Sequence, residues 1–166
     1  SDITHTVQFY YKSKERYQRA GEVFSNSSAF AEFGQSMEAI GVETIFNNLT
    51  SYLIAEGDGR SSTAGVTFFV DVSNPAVYAP AFAKMAAKMS EEAFGGNSYV
   101  LRAQHLGNGN STHSVSVSFD DAAAALEFLA NYPNTVQFQE FMQEAGTSFQ
   151  PGLSFMTINL LDYNPD

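Results

Sequence analysis

The sequence predicts an α+β protein whose antiparallel sheet carries helices on one face. Three observations point to it. A strand–turn–strand phrase is written twice, as "SYLIAEGDGRSSTAGVTFFVD" from Ser51 and as "SYVLRAQHLGNGNSTHSVSVSFD" from Ser98. Each copy leads into a segment whose apolar residues fall three and four apart, the period of a helix. Strand-like and helix-like segments then alternate along the rest of the chain.

The opening "THTVQFYY" alternates His5, Val7, Phe9 and Tyr11 onto one face and predicts a strand. "KERYQRAGEVF" predicts a short helix, and "SSAFAEFGQSMEAIG" a longer one with Phe30, Phe33, Met37 and Ile40 as its stripe. "VETIF" leads into a strand around Tyr52. In each repeated phrase a Gly-Asp-Gly or Gly-Asn-Gly marks the turn, because Gly permits positive φ and Asp or Asn tolerates the left-handed region. Each phrase is therefore expected to be a β-hairpin.

After the first phrase, Asn74 is placed to cap a helix and Pro75 to begin it. Tyr78, Phe82, Met85, Met89 and Ala93 form its stripe, and Gly95 stops it. Pro80 predicts an irregular first turn. After the second phrase, Asp120 or Asp121 caps a helix with Ala122, Leu126 and Leu129 on one face, ended by Pro133. Thr135 caps a second short helix with Phe138, Phe141, Met142 and Ala145 inward, and the last strand runs from Leu153 to Tyr163. Residues 1–63 read as a partial N-terminal βαβ repeat and 64–166 as a complete βαββαβ unit, the two making one compact globular body.

The 166 residues are 44% hydrophobic and 14% aromatic, enough for a packed core. The net charge of -10 repels phosphate backbones and anionic bilayers, so neither nucleic acid nor membrane is an expected partner. Lys12, Lys14, Arg16 and Arg19 cluster in "KSKERYQR", either as a solvated helix face or as a docking surface for the acidic part of a neighbouring chain. With no cysteine there is no disulfide and no thiolate chemistry. The chain starts at Ser1 without methionine, as a processed or trimmed product does. Abundant Ser, Asn, Gly and Gln favours an exported protein over a cytoplasmic one. Asn26, Asn48 and Asn110 head glycosylation sequons at the number chance allows.

From Val66 to Tyr163 the βαββαβ order is ferredoxin-like. "FFVDVSNPAVYAPAF" resembles the first strand and the Asp/Asn-Pro-x-x-Tyr helix start of the dimeric α/β-barrel superfamily. "SVSFDDAAAALEFLANYP" resembles its third strand and Ala-rich helix. The resemblance covers roughly residues 64–163. It implies a sheet face paired in a homodimer or an internal pseudo-dimer, and relatives that include cofactor-independent monooxygenases and haem-degrading enzymes. It supplies no catalytic residue for this chain.

The residues themselves offer little catalytic machinery. His105 and His113 flank the second turn and meet only if the loop is Gly107 to Ser111. Two histidines without a third ligand make no metal site, and no cofactor is expected. Glu91–Glu92 reads as a solvated helix end. The sheet is more informative. One parity set is polar or mixed: Gln8 and Tyr10, Thr67 and Phe69, Arg102 and Gln104, Ser116 and Ser118, Thr157 and Asn159. The opposite set is mostly apolar: Val7 and Phe9, Val66 and Phe68, Leu101, Val115 and Val117. Arg102 is the one cation in a strand core and needs an anionic partner, either a protein acid such as Asp71 or Glu56, or a ligand. The expected ligand is a small organic anion held by Arg102, oriented by Gln104, Thr157 and Asn159, with Phe69 and Tyr10 as apolar contacts. Two functions fit: a non-catalytic small-molecule-binding or interaction module, or a cofactor-independent monooxygenase-like enzyme. The lack of a clustered His, Tyr and Asn set favours the first.

Overall fold

The computed structural model describes residues 4–44, 47–92, 94–107 and 111–160. Two compact units divide the chain, Ser1–Phe46 and Asn47–Asp166. The first holds α1 (Lys14–Ser25) and α2 (Ser28–Ala39). Ser13 caps α1 by accepting from the Arg16 amide, and Ser27 caps α2 by accepting from Phe30. Phe24 stacks on Phe30 at 4.7 Å, and neither helix buries a residue. The stripe of Phe30, Phe33 and Ile40 is thus in helical phase but exposed. The strand expected at 4–11 does not form. Alternation supplies a face but not a partner, and no second strand lies among the described residues of this unit.

The second unit runs β1 (Leu49–Gly57), β2 (Ala64–Val72), α3 (Pro75–Met89), β3 (Ser98–Leu106), β4 (His113–Phe119), α4 (Ala122–Asn131), a 3-10 turn (Tyr132–Asn134), α5 (Val136–Ala145) and β5 (Phe149–Ile158). Its five strands form one antiparallel sheet in the order β1-β3-β4-β2-β5. The last four elements of that order are the ferredoxin-like sheet, and β1 extends it along the outer edge of β3. The α+β class with helices on one face is the one the sequence predicts.

The second repeated phrase is a hairpin, since β3 pairs with β4. The first is not: β1 pairs with β3, and two strands separate it from β2. A Gly-rich turn reports that the chain reverses, not that the reversed strands are neighbours. Three strand spacings amount to about 14 Å, within the roughly 20 Å reach of residues 58–63. Gly57 begins the crossing at φ +80. Gly59 then passes so close that a Cβ would stand 2.5 Å from Ser118 Oγ and 2.6 Å from Ser98 Oγ. The Asp58 amide donates to the Asn97 carbonyl (2.8 Å) and the Thr63 amide to that of Phe119 (3.0 Å), which satisfies the crossing backbone.

The helices bury a core of Val66, Val70, Leu101, Val117 and Phe119 from the sheet against Tyr78, Phe82, Ala86, Met89, Ala125, Phe128, Phe141 and Ala145. On α3 the predicted stripe holds for Tyr78, Phe82 and Met89; Ala93 lies outside the described residues. Asn74 is the N-cap but makes no side-chain capping bond. Pro80 sits in an unbroken helix on its exposed side; it offers no N–H to the Ala76 carbonyl, and Ala76 is exposed too. Asp121 and Thr135 cap α4 and α5 through the Ala124 and Phe138 amides. The α4 stripe differs from the prediction. Ala125 and Phe128 point inward while Leu126 is 57% exposed. Similarly Met142 on α5 faces out. Four successive alanines carry almost no phase information, so the one bulky ring sets the rotation of α4. β5 starts at Phe149, earlier than the predicted Leu153, and residues 161–163 of the predicted strand lie outside the described residues.

The corrected phase is testable by urea unfolding. Phe128→Ala should cost about 3–5 kcal/mol, as buried Phe truncations do. Leu126→Ala should stay within about 0.5 kcal/mol. Equal losses would return α4 to the leucine-inward phase.

Candidate functional site: the open face of the sheet

Because side chains alternate, the strands turn a second face away from the helices. Its middle is a hydroxyl ladder. Thr67 on β2 and Ser116 on β4 are paired in register with their hydroxyl oxygens 2.9 Å apart, and Ser98 and Ser118 meet at 2.6 Å. Arg102 on β3 reaches into this ladder. Its Nη1 donates to Ser116 Oγ at 2.7 Å, and its guanidinium carbon lies 4.8 Å from the ring centre of Tyr52 on β1. Tyr52 opposes Arg102 because a bulge between Tyr52 and Ile54 shifts the β1 register by one residue. The stacking and the hydrogen bond hold the guanidinium from two sides. Among the described residues no carboxylate forms an ion pair with it; the ion pairs there are Arg60–Asp58 and those of Lys84 and Lys88 with Glu140 and Glu144. The pairing of Arg102 with Asp71 or Glu56 is therefore not the one found.

Five of the predicted site residues lie in the second unit, at two ends of one sheet face. Arg102, Gln104 and Phe69 share one end of the open face, where Ser114 is the cross-strand partner of both Arg102 and Phe69. Gln104 Nε2 donates to the His113 carbonyl at 3.3 Å. Thr157 pairs with Gly65, which pairs with Ser118, four residues along β4 from Ser114. That is a separation of about 13 Å. Asn159 lies at the same far end, where its amide side chain donates to the Ser62 carbonyl at 3.0 Å and its backbone N–H to Thr63. Parity thus placed Thr157 on the right face but says nothing of position along it. Tyr10 belongs to the first unit, where its hydroxyl donates to Gln8 Oε1. Ser114 is the residue the sequence reading passed over. It continues the parity of Ser116 and Ser118 but looks like any other strand serine.

The remaining candidates make contacts within the fold. Asp120 Oδ1 accepts from Asn97 Nδ2 (2.7 Å), which also donates to Ser62 Oγ and so fastens the 58–63 crossing. His113 lies opposite Ala103, two residues from the level of His105, so the two imidazoles have separate partners: Thr112 Oγ1 for His113 and Ser51 Oγ for His105. No group of three metal-ligating side chains occurs among the described residues. No described helix is long and apolar enough to cross a membrane. At the end of the sheet an open cleft of about 510 Å³ is lined by Asp58, Glu92, Asp120 and Glu127 among others.

No protein-family model matches the sequence. No curated protein matches it either. Solved structures with a similar fold include a candidate monooxygenase from Fusobacterium nucleatum subsp. nucleatum, with a TM-score of 0.56 at 14% identity over 84% of this chain and 62% of the other. An anthrone oxidase-like protein gives a TM-score of 0.54 at 13% identity over 88% of this chain and 66% of the other. The chain spans less than two thirds of the length of each. At such identities the likeness is one of fold: an α+β chain with an open antiparallel sheet.

His113 gives a pH-dependent prediction. Burial holds its pKa below the ordinary imidazole value, against a smaller opposing pull from Asp71. As pH falls below about 6.5 the unfolded chain takes up this proton before the folded one, so stability should fall with pH there. Melting temperatures at pH 7.5 and 5.5 should therefore drop more for the wild type than for His113→Asn. An equal drop would remove His113 as the cause.

Proposed function

We propose that this protein binds a small organic anion on the open face of its sheet, with Arg102 as the anchor and without catalysing a reaction. The observation that carries this reading is the guanidinium itself. It is fixed by Ser116 and Tyr52 in a chain of net charge -10, and no described carboxylate neutralises it. A cation so held favours an anionic partner, and its planar fork suits bidentate contact. Gln104 and Phe69 flank the anchor, while Thr157 and Asn159 serve a ligand long enough to reach the far end. The polar neighbours of Arg102 are hydroxyls and one amide, which bind and orient but are poor proton carriers.

Cofactor-independent oxygenase chemistry is the second reading. The names of the two fold neighbours favour it, and oxygen consumption with an anthrone as probe separates it from simple binding. We also hold as proposals that the chain belongs to the dimeric α/β-barrel superfamily, that residues 1–63 are a partial copy of the later unit, and that the assembly is a homodimer or an internal pseudo-dimer. Light scattering, reading one or two times 18.1 kDa, separates the last two.

A thermal-shift screen of small carboxylates tests the main reading. A ligand at one hundred times its dissociation constant adds about 2.7 kcal/mol of stability, a measurable rise. At least one carboxylate should raise the wild-type melting temperature, and Arg102→Ala should abolish the rise. Shifts that survive the substitution, or none in the wild type, would sink the reading.

A further inference from the structure

We infer that Arg102 and Ser114 together form a carboxylate subsite, in which the Nε–Nη2 edge of the guanidinium grips both oxygens and the Ser114 hydroxyl donates to one of them. The inference rests on the anion-binding reading above. It adds a residue and a ligand class: planar carboxylates in preference to tetrahedral phosphate.

Ser114 sits directly opposite Arg102 in the ladder. Opposed Cβ atoms in such a ladder stand about 4.5–5.5 Å apart. The residue as a whole is only 4% exposed, and no side chain of the surrounding ladder bonds its hydroxyl; because no buried side-chain polar atom lacks a partner among the described residues, that oxygen keeps access to solvent and so to a ligand. Its neighbours on the same strand face behave differently: Ser116 meets Thr67 and Arg102, and Ser118 meets Ser98. A solvent-reaching hydroxyl beside a guanidinium is free to donate to whatever the guanidinium binds.

The guanidinium supplies the other half. Of its five N–H groups, one on Nη1 goes to Ser116, and the Tyr52 ring covers one face of the plane. The Nε–Nη2 edge has no partner among the described residues. That edge offers two parallel N–H bonds, which match the two coplanar oxygens of a carboxylate. A tetrahedral phosphate puts its remaining oxygens above and below that plane, and on one side they meet the Tyr52 ring.

Calorimetric titration of the full chain at pH 7 and constant ionic strength tests this, with sodium benzoate and sodium phosphate as probes. Benzoate should bind more tightly than phosphate. Ser114→Ala should weaken benzoate roughly tenfold, the usual worth of a hydrogen bond to a charged group. Its unliganded melting temperature should stay level, because no hydrogen bond to a described residue is lost. Arg102→Lys keeps the charge but loses the fork, and should weaken benzoate by roughly tenfold or more. Benzoate affinity unchanged in either variant, or phosphate binding more tightly, overturns the subsite. If Arg102→Ala abolishes binding while Ser114→Ala and Arg102→Lys are silent, the subsite alone falls. If the wild type binds neither probe nor any screened carboxylate, the anion-binding reading falls with it.

Discussion

A continuous run of aromatic rings fastens the three helices of the second unit to one face of its sheet. It starts at Tyr99 on β3, passes through Phe128 on α4 and Tyr132 just after it, continues over Phe138 and Phe141 on α5, and ends on Tyr78 of α3 and Phe149 of β5. Each step lies between 4.9 and 6.2 Å, the range in which ring edges and faces attract beyond the area they bury. The polar tip of Tyr99 is accommodated, because its hydroxyl accepts the Gly96 amide at 2.7 Å. Burial pushes its pKa to about 12, so it stays a neutral hydrogen-bonding group at ordinary pH.

The one-sidedness of that packing decides what the rest of the molecule does. All three helices of this unit follow the strands on the same side, so within the unit the other face has no helical cover. It could have been apolar. Instead β4 places serine at every second position from Ser114 to Ser118, against Thr67, Ser98 and Arg102. Polar side chains here bond to one another across the ladder, which orders them before any ligand arrives. The 58–63 crossing closes on the Ser98–Ser118 end of this face, with Gly59 fitted against both hydroxyls. At the other end, the Nε–Nη2 edge of Arg102 has no partner among the described residues.

Much of this is legible in the sequence, and the exceptions have physical reasons. The α3 stripe was readable because Tyr78, Phe82 and Met89 are large and in phase. The phase of α4 was not, since its alanines weigh nothing in such a pattern and Leu126 outvotes Phe128 on hydropathy. The turn at Gly57 was readable from glycine chemistry, but its strand neighbours are set by β3, which lies more than forty residues on. Strand parity put Arg102, Gln104 and Thr157 on one face. Their separation along it depends on register, which no local pattern carries. The position of Ser114 opposite Arg102 was least visible, because cross-strand register is a property of the folded surroundings and not of the residue.

The proposed ligand position is the Arg102 end of the sheet face that this unit's helices leave free. Backbone amide chemical shifts, followed during titration of the isotope-labelled full chain with benzoate, test it most directly. The largest changes should fall on Phe69, Arg102, Ser114 and Ser116, across three adjacent strands. Changes centred on α3 and α5, or on the acidic cleft beside Asp120 and Glu127, would contradict it.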